Sequence, residues 1–244
     1  VAWIVAAMAG LGTAGWGITI PVTAYGTGFS SSGTLLTADN TSDGNWTFYS
    51  GTGLSALSGT PEGAWVFTAN RQPLNNGTWA ANSTSSVWIS PTSNRANGGH
   101  LATVPGTSYI AVTTFTIPAM QDPPNWPQWW LVMSGTVWAD QGVSGNNFYL
   151  LKDDNSVAFT GSLSGTAGPL SPAGFQLSAW VQPGATYKLA FILPNTPDTW
   201  AGFRLQLTEA YVTPEPGGWV TMATAGVGLA LVAWRRRRSK KPVA

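Results

Sequence analysis

The side chains able to do acid–base chemistry in this chain are few and scattered. Between residues 25 and 213 the acids are Asp39, Asp43, Glu62, Asp122, Asp140, Asp153, Asp154, Asp198 and Glu209. General acid and base catalysis needs two carboxylates converging on one bond. Most of these acids sit among Gly, Pro and Asn residues that make turns, and Glu209 has no acidic neighbour two residues away. His100 is the only histidine, so a three-histidine metal site is excluded and a Ser-His-Asp triad would depend on that one ring. No Gly-x-Ser-x-Gly elbow occurs. The chain therefore reads as non-catalytic and without a cofactor. Two weak metal candidates remain, Asp153 and Asp154 beside Asn155, and Asp140 with Asn146. The first matches no defined calcium loop, and a hairpin tip accounts for it.

Tryptophan is the second chemical signal. Ten of the 14 tryptophans lie between residues 25 and 213, more than a core of that size needs. Trp126, Trp129 and Trp130 are threaded by Pro123, Pro124 and Pro127 just ahead of an expected strand. Flat aromatic faces match the apolar C–H faces of sugar rings, and a proline-stiffened loop would hold them ready at low entropic cost. These three are the candidate glycan-binding residues. The alternative is that Trp129 or Trp130 plugs the end of the domain, with Trp88, Trp138 and Trp180 in the core.

The elements that must position these side chains are strands. Gly, Ser, Thr, Asn and Pro punctuate short runs of Val, Ile, Phe, Tyr and Trp, without sustained helical periodicity. Expected strands cover residues 45–49, 64–69, 77–80, 87–90, 108–117, 130–138, 147–151, 157–163, 175–181, 186–193 and 203–212. Tyr109, Ala111, Thr113, Phe115 and Ile117 fall on one face, as do Phe203, Leu205 and Leu207 opposite Arg204, Gln206 and Thr208. Residues 152–156 read as a hairpin turn. Many strands at short, irregular intervals predict a single antiparallel β-sandwich, jelly-roll-like rather than a closed barrel. No cysteine is present, so packing alone must hold it together.

Charge narrows the partners. Six of the 11 basic residues lie in the last ten residues, and residues 25–213 hold five against nine acids, a net of −4. Nucleic acid is excluded as a partner, because phosphate neutralisation needs clustered Lys and Arg.

Both ends carry address-like segments. Residues 1–20 are uncharged and rich in Ala and Gly, as in the apolar region of a secretory signal, and Val22-Thr23-Ala24 fits a cleavage site, so residues 1–24 read as a signal peptide. A buried strand is the alternative. At the other end Pro214, Glu215 and Pro216 precede an uncharged stretch, 217–234, and then Arg235, Arg236, Arg237 and Arg238. As a helix that stretch reaches roughly 27 Å, close to a hydrocarbon core. The arginines hold their end on the cytoplasmic side. Permanent anchoring is the simpler alternative to a removable tail.

The order Pro-Glu-Pro, apolar helix, arginine cluster resembles the PEP-CTERM sorting signal of bacterial envelope proteins. The resemblance implies an exosortase as processing partner, cleavage near Pro-Glu-Pro, an inner-membrane intermediate, and delivery to the cell surface or extracellular matrix. Trp79-Ala80-Ala81-Asn82, Val87-Trp88-Ile89-Ser90 and the segment Ser134-Gly135-Thr136-Val137-Trp138-Ala139-Asp140 also look like a jelly roll found ahead of such signals, similar to galactose-binding-like modules. Asn146-Asn147-Phe148-Tyr149 departs from that pattern. The expected organisation is a signal helix (1–24), an all-β sandwich (25–212) and a sorting signal (213–244: motif 214–216, transmembrane helix 217–234, basic stop 235–241). The expected role is a structural or glycan-binding element contacting extracellular polysaccharide. A carbohydrate-active enzyme with a sparse acidic site and a self-assembling adhesin using exposed strand edges are the alternatives.

Overall fold

In the computed structural model, the residues described are 19–51, 53–68, 77–91, 108–119, 129–143, 145, 147–194 and 201–214. They form β1 (Ile20–Pro21), β2 (Ser42–Ser50), a 3-10 turn (Leu54–Ser58), β3 (Glu62–Phe67), β4 (Trp88–Ser90), β5 (Tyr109–Thr116), β6 (Trp129–Ala139), β7 (Phe148–Lys152), β8 (Val157–Gly161), β9 (Ala173–Val181), β10 (Thr186–Leu193) and β11 (Phe203–Pro214). The fold is all-β. The flanking helices expected at 1–24 and 217–234 lie outside the described residues, except for residues 19–24. Among the described residues no helix is long and apolar enough to cross a membrane.

The strands follow one path, β8-β7-β10-β5-β2-β3-β4-β11-β6-β9, with every pairing antiparallel. The path folds over at β2–β3, where the register shifts between Ser42 and Thr47. A bulge of that kind bends a strand and lets it serve two layers. From β5 onward the chain crosses between layers repeatedly, giving the jelly-roll-like sandwich. β8 and β9, the two ends of the path, lie against one another, and Ser164 N–H donates to the Gly174 carbonyl at 2.8 Å beside them.

Alternation decides what each strand buries. Along β9, Ala173, Phe175, Leu177, Ala179 and Val181 are buried, as are Trp129, Leu131, Met133 and Val137 of β6. Between the layers Trp46, Phe148, Phe175, Phe191 and Phe203 interlock, with centroids 5.2 Å apart for Phe191–Phe203 and 5.6 Å for Phe148–Phe175. Gly161 faces Phe148 so closely that an added Cβ would fall 1.9 Å from its ring.

Each outer face carries a smaller cluster. Leu57 of the 3-10 turn covers Ile110, Val112, Leu151 and Ala190, while Trp79 stacks on Trp88, centroids 4.4 Å apart, beside Phe67.

Two differences from expectation have local causes, and a third comes from long-range pairing. Residues 77–80 are turn and coil rather than strand; Gly77 adopts φ 73°, and Trp79 acts as a lid on Trp88. The 3-10 turn was not anticipated, because five residues are too few for a periodic signal. The fold also begins ahead of Tyr25: Ile20 and Pro21 pair with Val212 and Tyr211, Val22 is buried, and its N–H donates to Ala210 at 3.0 Å. The segment read as a removable signal thus contains residues packed into the sandwich.

Candidate functional site

On the outward face of β6 and β9, Trp130 and Trp180 stand directly opposite each other across the ladder. Their centroids are 4.7 Å apart with ring planes at 70°, an edge-to-face contact. Trp180 is 44% exposed and Trp130 half-buried, and the next positions on the same face are Ser178, Val132 and half-buried Tyr211, with Thr213 opposite Trp130. Cross-strand aromatic pairs stiffen one another, so these rings are held by the sheet rather than by a loop. The arrangement offers an apolar ring surface bordered by hydrogen-bonding side chains, which is what the ring face and hydroxyls of a sugar require.

Two of the three tryptophans expected to bind glycan, Trp129 and Trp130, are thereby separated. Trp130 is at this face. Trp129, next to it, points the other way, is 3% exposed and belongs to the core. Trp126 lies outside the described residues. Trp180, read as a core residue, is instead the most open tryptophan among the described residues. Its exposure was available in the alternation: the odd positions of β9 from Ala173 to Val181 are apolar, which turns Gln176, Ser178 and Trp180 outward.

The acids serve as tethers. Asp140 accepts a hydrogen bond from Trp79 Nε1 at 2.6 Å and one from Gln141 Nε2 at 3.3 Å. Burial pushes its carboxyl up to about 6, the two hydrogen bonds working the other way. The space beside it, bounded by Phe48, Tyr109, Gln141, Pro194 and Gly202, is about 10 Å³, room for no more than one water. Asp43, 1% exposed, accepts from the backbone N–H of Gly28 at 2.6 Å and of Asn45 at 3.0 Å, and burial raises its carboxyl likewise to about 6. Asp153 and Asp154 stand exposed on the β7–β8 turn, where Asn155 adopts φ 66° and Asp154 accepts from Ser156 N–H at 2.9 Å. That hydrogen bonding holds the Asp154 carboxyl below its ordinary value. Among the described residues no three His, Cys, Asp or Glu side chains gather to hold a metal ion. His100, Asp122, Asn146 and Asp198 lie outside the described residues, as do Glu215, Pro216 and Arg235 to Arg238, while Pro214 ends β11.

No protein-family model and no curated protein matches the chain. Solved structures to which it is similar include the enzymatically active domain of tailspike protein 4 of bacteriophage CBA120, at 14% identity and TM-score 0.36 over 70% of this chain. The chain spans 19% of that domain's length. The family 11 carbohydrate-binding module of Clostridium thermocellum, solved with a β-1,3-1,4-mixed-linked tetrasaccharide, is 13% identical with TM-score 0.32, over 79% of this chain and 98% of that one. A cleaved adhesin domain of Lys-gingipain from Porphyromonas gingivalis is 12% identical with TM-score 0.30, over 72% and 98%.

Proposed function

We propose that this chain is an exported bacterial envelope protein whose sandwich binds glycan without catalysis, and that its Pro-Glu-Pro tail is recognised and removed by an exosortase on the way to the cell surface or matrix. The binding reading rests on one observation, the solvent-facing Trp130–Trp180 pair on a rigid sheet. Two indoles joined on one outward face make a contiguous apolar surface, the kind of feature that serves ligand contact. The carboxylates with raised pKa are each committed to a loop hydrogen bond, which supports binding over hydrolysis. The apposition of β8 and β9 supports it over assembly through a free edge.

The sorting reading rests on the sequence of the tail alone. The apolar stretch and four arginines supply the membrane stop, and the rigid acidic tripeptide supplies the mark beside it. Because β1 packs on β11, the N-terminal cut in this proposal falls before Ile20 rather than after Ala24.

The binding reading is tested by retention of the purified protein on insoluble polysaccharide, comparing the native chain with Trp180→Ala and Trp130→Ala. Loss of retention in the variants is expected. Unaltered retention would remove the tryptophan face as the binding site.

A further inference from the structure

The opposite sheet carries a groove of about 180 Å³ that the tryptophan face does not involve, lined by residues including Asn45, Thr47, Tyr49, Thr114, Asn155 and Lys188. Its floor is the outward face of β2, β5 and β10, where Lys188 stands directly opposite Thr114. Leu57 of the 3-10 turn and Val112 border it, both buried in the small cluster beneath.

Lys188 is the feature that needs explaining. It is half-buried, and its ammonium donates to the Asp153 carbonyl at 2.8 Å and to Asn155 Oδ1 at 2.7 Å. An ammonium has three hydrogens, so these two bonds fix its position and leave the third. Among the described residues no carboxylate lies within ion-pairing distance of it; Asp154 is turned onto Ser156. The hydroxyls of Thr47, Thr114 and Tyr49 have no protein partner among the described residues, whereas both amide hydrogens of Asn45 are used on Phe29 and Ser30 carbonyls at 2.8 and 2.9 Å. The groove thus holds one positioned cation with no ion-pair partner among the described residues, and three hydroxyls.

We infer that this groove binds a carboxylated sugar, a uronic-acid unit of an acidic polysaccharide, with its carboxylate on Lys188. A charge-assisted hydrogen bond to a carboxylate completes the ammonium, and the threonine and tyrosine hydroxyls meet the ring hydroxyls. The groove's one lysine matches the single charge of a carboxylate, whereas a phosphate monoester carries nearly two charges and no second cation lines the groove. The inference extends the glycan-binding proposal but uses a different sheet, so either can fail alone.

The test is calorimetric titration of the purified protein with trigalacturonate and, separately, with neutral galactotriose. Preference for trigalacturonate is expected, weakened at 0.5 M salt, and reduced about tenfold or more by Lys188→Met, which keeps the apolar stem. Thr114→Val serves as a second variant and is expected to weaken binding several-fold. Trp180→Ala is expected to leave trigalacturonate binding unchanged while losing polysaccharide retention at the other face. Equal binding of both trisaccharides, absence of trigalacturonate binding, or full binding by a folded Lys188→Met protein would overturn the inference.

Discussion

The guanidinium carbon of Arg204 lies 4.2 Å from the centroid of the Trp138 ring, directly across the β11–β6 ladder. Arg204 is 3% exposed, donates from Nε to Ser86 Oγ at 2.8 Å and from a terminal nitrogen to the Ala81 carbonyl. A buried cation is tolerable only where charge or dipoles compensate it. Here the tryptophan face and two oxygens do so, and burial pushes the guanidinium below its ordinary pKa. The result is a clamp that fastens the 77–88 segment, with its Trp79 lid, onto the sheet.

Replacing that clamp is expected to cost stability without touching either proposed binding face. Arg204→Met should lower the unfolding free energy by about 2–4 kcal/mol, because Ser86 and Ala81 lose a charged donor. Arg204→Lys should recover only part of this, since an ammonium cannot stack and fork together. Denaturant midpoints measure both; an unchanged midpoint in Arg204→Met would deny the clamp.

Gly202 is expected to admit no side chain. An added Cβ would sit 2.1 Å from the Trp79 ring, and Asp140 N–H donates to the Gly202 carbonyl at 3.0 Å. Gly202→Ala should therefore cost about 1–3 kcal/mol by moving the indole off Asp140, seen as a lower midpoint together with altered tryptophan fluorescence.

Stability should fall as pH rises from about 4 through about 6 on account of Asp43 and Asp140. Both carboxyls are raised from 3.8 to about 6 in the folded chain, chiefly by burial. Between those values the native state binds protons that the unfolded chain has released, so deprotonation there favours unfolding; above about 6 the contribution levels off. Asp140→Asn keeps an oxygen for Trp79 and should flatten this slope when melting temperature is followed against pH. An identical slope in native and variant chains would contradict the assignment.

Two tryptophans on opposite faces of the β6–β9 ladder should respond to different degrees. Trp129→Ala removes a ring that is 3% exposed and should cost about 3–5 kcal/mol. Trp180→Ala removes one that is 44% exposed and should change stability by no more than about 1 kcal/mol while abolishing polysaccharide retention.

Intact-mass measurement of envelope and secreted protein from the native host should find the mature N-terminus ahead of Ile20 and the C-terminus near Pro214 to Pro216. A mature chain starting at Tyr25 would mean that β1 is dispensable. An uncut tail in all fractions would mean permanent anchoring.

Much of the architecture could be read one strand at a time. The limits of β10 match the expected 186–193, set by Pro183-Gly184 before it and Pro194 after it, and the 152–156 turn closes with Lys152 N–H donating to Ser156 at 2.9 Å. The site was less legible. Trp130 was identified by its neighbourhood of prolines, yet its partner Trp180 lies 50 residues later, and only the β6–β9 register joins them. Lys188 gives no local signal, because a lone lysine in a strand is ordinary, and Asn155 stands out only beside the weak metal candidates Asp153 and Asp154, not as a partner of a lysine 33 residues later.

The sequence by itself determined that the chain is built of strands and, where apolar and polar residues alternate cleanly as along β9, which face turns inward, because alternation is set by the geometry of a single extended backbone. Only the tertiary structure decided which strands neighbour one another, and hence that Arg204 meets Ser86 from 118 residues away, that Trp180 meets Trp130, and that Val22 belongs to the core. Pairing between distant strands depends on closing long loops and matching packed faces across the whole domain, and no short stretch of residues encodes that balance.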